Sequence, residues 1–224
     1  MKIATWNIER FKHRKHSQEM LNLCHSLQAD IMVLTETDRE FKLDFTYNFH
    51  TPCLSKAPLS YPLPTTYKNT ENRVSIYTQY PCLETYETYD KFTSLCVKLK
   101  TELGDLIIYG TIAGITGNRS HSFKSELSMI INDIERISHK GNICVCGDFN
   151  CSFADSYYFT KYAKETYLNC FSRNNIHILT KDIFECIDHI AISNMFIRYN
   201  KSFVYEWNED KSFSDHKGVI LELR

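Results

Sequence analysis

Apolar and polar residues alternate over short stretches along much of the chain, and this period of two predicts strands. KIATWNI opens as one, DIMVLTE follows, and RVSIYTQY, TSLCVKLK and LIIYGTI occupy the middle, the last entered through a Gly104-Asp105 turn. NICVCGDFN, CIDHIAIS, KSFVYEW and GVILEL supply the later strands. A wider spacing marks the helices. Ser17 is placed to cap one carrying Met20, Cys24 and Leu27 on a single side. Ser122 is expected to cap a second, in which Phe123, Leu127, Ile130, Ile131, Ile134 and Ile137 share one face and Gly141 is the stop. The segment with Tyr157, Tyr158, Phe159 and Tyr162 is read as helical, and residues 41–70, rich in aromatics and Pro, as an irregular excursion with room for a short strand.

Strands outnumber helices and several links are hairpin-like, unlike a regular βαβ series. The expectation is an α/β fold in which two mixed sheets pack face to face with helices outside. No repeat or shift in composition divides the chain, so residues 1–224 are read as one domain. No GxGxxG or GxxxxGK[ST] loop is present, so neither nucleotide-binding reading has its usual mechanical feature.

Charge changes the picture little: Lys+Arg 26 against Asp+Glu 27 gives a net charge of −1, arguing against a protein that coats nucleic acid but leaving room for a local polyanion site. Nine Cys, an odd number without zinc-finger spacing, suggest a reducing compartment. Cys144 and Cys146 flank Val145 and are read as packing in a buried strand rather than as a metal pair. The start MKIATWNIER becomes charged before a secretory apolar core forms, and no stretch suits a membrane span, so a soluble cytoplasmic protein is expected, with no obligate protein partner evident.

The informative feature is a set of polar groups at the ends of apolar strands: TWNIE, VLTETD, CGDFN, CIDHI and FSDHKG. If these ends converge, Asn7, Glu36, Asp148, Asn150, Asp188, Asp215 and His216 make one oxygen-rich site with a histidine. Carboxylate and amide oxygens suit a hard divalent ion, Mg²⁺ or Mn²⁺, and not structural zinc. Taken singly, each residue is more often a solvated strand end or a local cap; it is the ordered set that points to chemistry.

That ordered set resembles the endonuclease/exonuclease/phosphatase family, which includes exonuclease III-like and DNase I-like enzymes, inositol polyphosphate phosphatases and neutral sphingomyelinases. The likeness runs from Asn7 to Asp215-His216, with GDFN and a late SDH as its strongest motifs. It implies a four-layer α/β sandwich and metal-assisted hydrolysis of a phosphoester. It also implies that Asn7, Glu36 and Asp215 belong to the metal shell, that Asp148 orients or activates the attacking water, and that Asn150 holds the reacting phosphate. Asp188 matches the Asp supporting the catalytic His, and His216 matches that His. His189, beside Asp188 but of opposite strand direction, is read as structural or at the surface.

One strand departs from the pattern. Many relatives carry a His, or a Tyr beside a Pro, where this chain has Thr111-Ile112, and Ile112 offers phosphate no hydrogen bond. Tyr109 could compensate only through an unusual register. Basic residues follow the proposed strand ends: Lys12, Arg14 and Arg119 are taken as substrate-guiding, with Lys15, Arg73, Lys124 and Lys217 also near the expected rim. Tyr47, Tyr67 and Phe213 offer rings for stacking, though packing is their commoner use. The leading expectation is a Mg²⁺-dependent phosphodiesterase acting on DNA as an endo- or exonuclease. The alternative is a phosphatase or phosphodiesterase acting on a small molecule or phospholipid headgroup, and a non-catalytic binding role is the third.

Overall fold

The computed structural model describes residues 1–63, 65–117, 120–158 and 160–224. In chain order its first strands are β1 (Lys2–Asn7), β2 (Ile31–Asp38), β3 (Tyr47–His50), β4 (Glu71–Thr78), β5 (Cys82–Tyr86) and β6 (Ser94–Thr101). They are followed by β7 (Gly104–Ile112), β8 (Ile143–Asp148), β9 (Ile176–Ile178), β10 (Asp188–Ser193), β11 (Ser202–Trp207) and β12 (Gly218–Leu223). The helices are α1 (Ser17–Ser26), α2 (His121–Ser138), α3 (Lys161–Arg173) and the single turn α4 (Asn194–Ile197).

Two six-stranded sheets result, ordered β11-β12-β1-β2-β4-β3 and β5-β6-β7-β8-β10-β9. Alternation along each strand explains the layers. In β8, Cys144 and Cys146 enter the core between the sheets with Ile31, Val33 and Ile190, whereas Ile143 and Val145 face outward to α2 and α3. In β2, Ile31 and Val33 point inward while Met32 and Leu34 meet Met20 and Cys24 of α1 on the far side. The order helix, sheet, sheet, helix is therefore the expected four-layer α/β sandwich. Gly110 lies at the tight centre, where a Cβ would stand 3.0 Å from methyl groups of Val33 and Val74 on the facing sheet.

Several local expectations are corrected. Ser17 is the first residue of α1, with His16 at the cap position and no capping side chain. Ser120, not Ser122, caps α2, its hydroxyl accepting from the Phe123 amide at 3.1 Å. Tyr157 and Tyr158 precede α3, which starts after Thr160 accepts from the Ala163 amide at 3.2 Å; Phe159 lies outside the described residues. The short edge strands β5 and β9 were not foreseen. All six apolar positions assigned to α2 are buried, as are Cys144 and Cys146, and the nine cysteines are free. Among the described residues no helix is long and apolar enough to cross a membrane.

Candidate active site

Strand pairing brings the polar ends together. β8 and β10 run antiparallel with Asp148 directly opposite Asp188, and the parallel β7 sets Ile112 beside Asp148. In the other sheet the parallel pair β1 and β2 sets Asn7 beside Thr35, one residue before Glu36. His216 arrives on the loop between β11 and β12. Its carbonyl accepts from Trp6 Nε1 at 3.1 Å and Asn208 Nδ2 at 2.7 Å, while Ser214 Oγ donates to the Asn7 carbonyl at 2.7 Å. This loop is thus stitched to the end of β1.

His216 Nδ1 lies 2.6 Å from Asp188 Oδ2, and the metal-capable atoms of Asp148, Asp188 and His216 all fall within 4.8 Å of one another. Burial disfavours a charged imidazole, but the carboxylates of Asp188, Asp148 and Asp215 outweigh it and hold the His216 pKa up at about 10. At neutral pH the ring is a cation between two buried acids. Asp148 is pushed upward by burial, opposed by His216 and reinforced by Asp188.

Asp148 is held from three sides. Its Oδ1 accepts from the Asn150 amide at 2.8 Å, and its Oδ2 accepts from Asn7 Nδ2 at 3.0 Å and Asn150 Nδ2 at 3.3 Å. The Asn7 amide is itself oriented, because its Oδ1 accepts the Glu9 backbone N–H at 2.8 Å. That N–H sits in an unusual turn in which Glu9, Arg10 and Phe11 have φ of 50°, 59° and 54°, a left-handed path costing roughly 1–2 kcal/mol per residue. Glu36 (φ 44°) and Asn150 (φ 49°) share that region, so local strain is concentrated where side chains are aimed into the site.

These groups line one cleft of about 620 Å³: Asn7, Glu36, Asp148, Asn150, Asp215 and His216 all reach it. Asp188 stands behind His216. Burial raises the Glu36 pKa against the pull of Arg73 and His216, and no hydrogen bond or ion pair among the described residues engages its carboxylate. Among the described residues Asp188 Oδ1 is also buried without a hydrogen-bond partner. An excess of desolvated carboxylate with oxygen donors converging suits a hard divalent cation. His216 Nδ1 is taken up by Asp188, and the oxygen donors that reach the cleft and fit such an ion are Glu36 and Asp215, with Asn7 beside them.

The remaining candidates separate. Lys12 lines the cleft and pairs with Glu9. Arg14 does not line it, its guanidinium being turned onto Asp38 and Glu40, and Arg119 lies outside the described residues. Arg73 is buried and donates to the Tyr67 hydroxyl at 3.0 Å; Lys217 is bound to Glu206, and Lys124 lies over the Tyr162 ring. Phe213 packs edge-on to His16, and Tyr47 sits on the edge strand β3. Tyr109 points out of the intersheet core and donates to Asp133 at 3.2 Å, so Ile112 has no substitute from its own strand. His189 is a core residue: Nε2 donates to the Cys151 carbonyl at 3.0 Å, and Nδ1 meets Thr180 Oγ1 at 2.9 Å. Glu9 and Tyr158 also line the cleft; Glu9 was legible only as the neighbour of a site Asn, and Tyr158 had been absorbed into a helix.

The sequence profile of the Endonuclease/Exonuclease/phosphatase family matches residues 4–216. No curated protein sequence matches the chain. Among solved structures, a 3′ phosphatase, NExo, from Neisseria bound to product DNA hairpin superposes with TM-score 0.72 at 15% identity, covering 100% of this chain and 99% of that one. An AP endonuclease from Archaeoglobus fulgidus gives TM-score 0.72 at 12% identity over 100% and 99%. The endonuclease domain of TRAS1, a telomere-specific non-LTR retrotransposon, gives 0.69 at 13% over 100% and 98%.

Proposed function

The chain belongs to the endonuclease/exonuclease/phosphatase family of phosphoester hydrolases, and from that premise we propose that it is a Mg²⁺-dependent phosphodiesterase cleaving DNA. The observation that carries the reading is the meeting in one cleft of Glu36, Asp148, Asn150, Asp215 and His216, with Asp188 behind the histidine. Glu36 and Asp215, with Asn7 nearby, would hold the divalent ion, with Mn²⁺ an acceptable substitute. Bound there, such an ion supplies positive charge to a phosphoryl oxygen.

Asp148 is the group placed to take a proton from the attacking water, since three donated hydrogen bonds fix its direction and burial keeps it a better base than an exposed carboxylate. Asn150 orients the phosphate from the adjacent turn. His216, charged and anchored by Asp188, stabilises the negative charge that grows on the phosphoryl oxygens and takes part in proton transfer. Lys12 contributes electrostatic guidance at the cleft mouth. DNA is favoured because the similar structures include a phosphatase bound to a DNA hairpin and an AP endonuclease.

The test is turnover of purified protein with Mg²⁺, Mn²⁺ or EDTA on single-stranded, duplex and abasic duplex DNA, RNA, inositol phosphates and sphingomyelin. Metal-dependent cleavage of a DNA substrate is expected. Cleavage of an inositol phosphate or sphingomyelin alone would replace DNA by the small-substrate class, and a folded, metal-binding protein inert on all of them would reject catalysis.

A further inference from the structure

The cleft lining is not uniformly polar: beside its acids and amides it includes Ile112, Ile115 and Tyr158, together with Gly114 and Gly117. Ile112 is almost wholly covered, whereas Tyr158 is 48% exposed, so the tyrosine carries more of the accessible apolar surface of that lining than Ile112 does.

Tyr158 is not a loosely placed surface ring. Its φ is 45°, a conformation that a bulky side chain seldom adopts and that persists only when neighbouring structure enforces it. That structure is visible. Asp155 Oδ1 accepts from Ser152 Oγ at 2.6 Å and from the Tyr157 amide at 2.8 Å, while its Oδ2 accepts from the Glu185 amide at 2.7 Å. One carboxylate therefore locks the turn after β8 to the loop before β10. The Tyr157 ring buttresses Tyr158 at 5.2 Å between centroids, and Lys211 covers Tyr157 at 4.7 Å.

We propose that Tyr158 is a specificity-determining residue whose ring stacks on a nucleobase next to the scissile phosphate, so that the enzyme acts on nucleotides free to leave the helical stack. This deepens the phosphodiesterase reading and rests on it for the position of the phosphate. A single fixed ring in an otherwise largely polar cleft suits one flat, sequence-tolerant π-face. An acyl chain needs a continuous apolar channel, and the rest of this cleft is lined by Glu9, Lys12, Glu36, Asp215 and His216.

The experiment compares fluorescein-labelled single-stranded deoxyoligonucleotides with and without bases, the latter built on tetrahydrofuran spacers. Binding is read by anisotropy in EDTA, where hydrolysis is suppressed, and kcat/KM is then measured with Mg²⁺. Tyr158→Ala is expected to weaken binding of the base-bearing oligomer by about tenfold or more, the range of one lost base–aromatic stack, and to change the spacer oligomer less than about twofold. Tyr158→Phe keeps the ring and should bind like wild type. Equal loss on both oligomers, no loss on either, or Tyr158→Phe as damaging as Tyr158→Ala would overturn stacking. So would a Tyr158→Ala effect confined to dihexanoyl phosphatidylcholine. Base-dependent binding without cleavage of any phosphodiester would reject the catalytic reading while leaving the stacking role in place; cleavage indifferent to Tyr158 would do the reverse.

Discussion

Asp148 and Asp188 face each other across the antiparallel pair β8 and β10, and the imidazole of His216 lies beside both, 2.6 Å from Asp188. Two carboxylates this close and this buried repel unless a cation offsets them. The fold supplies that cation from the other sheet. Removing it changes both acids at once. His216→Ala should lower the single-turnover rate by on the order of 10²-fold or more, since a positioned charge and proton donor is lost. Asp188→Asn should also slow the step, and the double variant should fall well short of the product of the single effects because the two act as one unit. Near-normal single-turnover chemistry in His216→Ala would sink the catalytic assignment.

Glu36→Gln tests the cation. The substitution keeps size and removes the charge of a carboxylate that no other group among the described residues pairs with. Mg²⁺ or Mn²⁺ affinity, followed by calorimetric titration, should drop about tenfold or more. Unchanged affinity in a variant with a wild-type circular dichroism spectrum would exclude Glu36 as a ligand.

The buried His189 sets a pH dependence. Burial lowers its pKa to about 4 from the ordinary 6.5, and Nε2–H donation to the Cys151 carbonyl leaves Nδ1 to accept from Thr180. The folded state therefore binds this proton less readily than the unfolded chain. Its contribution is fully present above about pH 6.5 and is lost as pH falls toward 4. Imidazole carbon shifts should report the neutral Nε2–H form at pH 5.5, and His189→Gln should flatten the fall in Tm between pH 6.5 and 4.5. A ring that titrates near 6.5 in the folded protein contradicts this.

Lys12 and Arg14, alike in sequence, should behave differently. Lys12→Gln should reduce DNA turnover through KM, with the loss shrinking as salt rises, because Lys12 lines the cleft. Arg14→Gln should leave that salt dependence unaltered, since its guanidinium is occupied by Asp38 and Glu40. Equal effects of the two changes would mean that the groove runs over both.

Gly147 precedes Asp148 with φ 133°, and a Cβ there would stand 2.0 Å from the Thr111 carbonyl oxygen of β7. Gly147→Ala should destabilise by about 3 kcal/mol or more in urea unfolding, because a paired backbone cannot step aside as a side chain does.

What the sequence by itself determined was the layering and the order of chemical groups. A period of two assigns faces without knowledge of partners, so Cys144 and Cys146 could be read as core, and the polar residues that end TWNI, VLTE and CGDFN stood out because they interrupt apolar runs. Helix α2 was legible from its apolar stripe. Its cap was not: Ser120 and Ser122 are equivalent in composition, and backbone geometry decides which hydroxyl meets an orphan N–H. The edge strands β5 and β9 bury one side at most and so leave little pattern to read. Only tertiary structure could turn Arg14 away from the cleft, bury Arg73 against Tyr67, face Tyr109 outward and force Tyr158 into the cleft wall. Long side chains and strained turns take their direction from residues distant in the chain, here Asp38, Asp133 and, through Asp155, Glu185, and such pairings have no local periodicity to announce them.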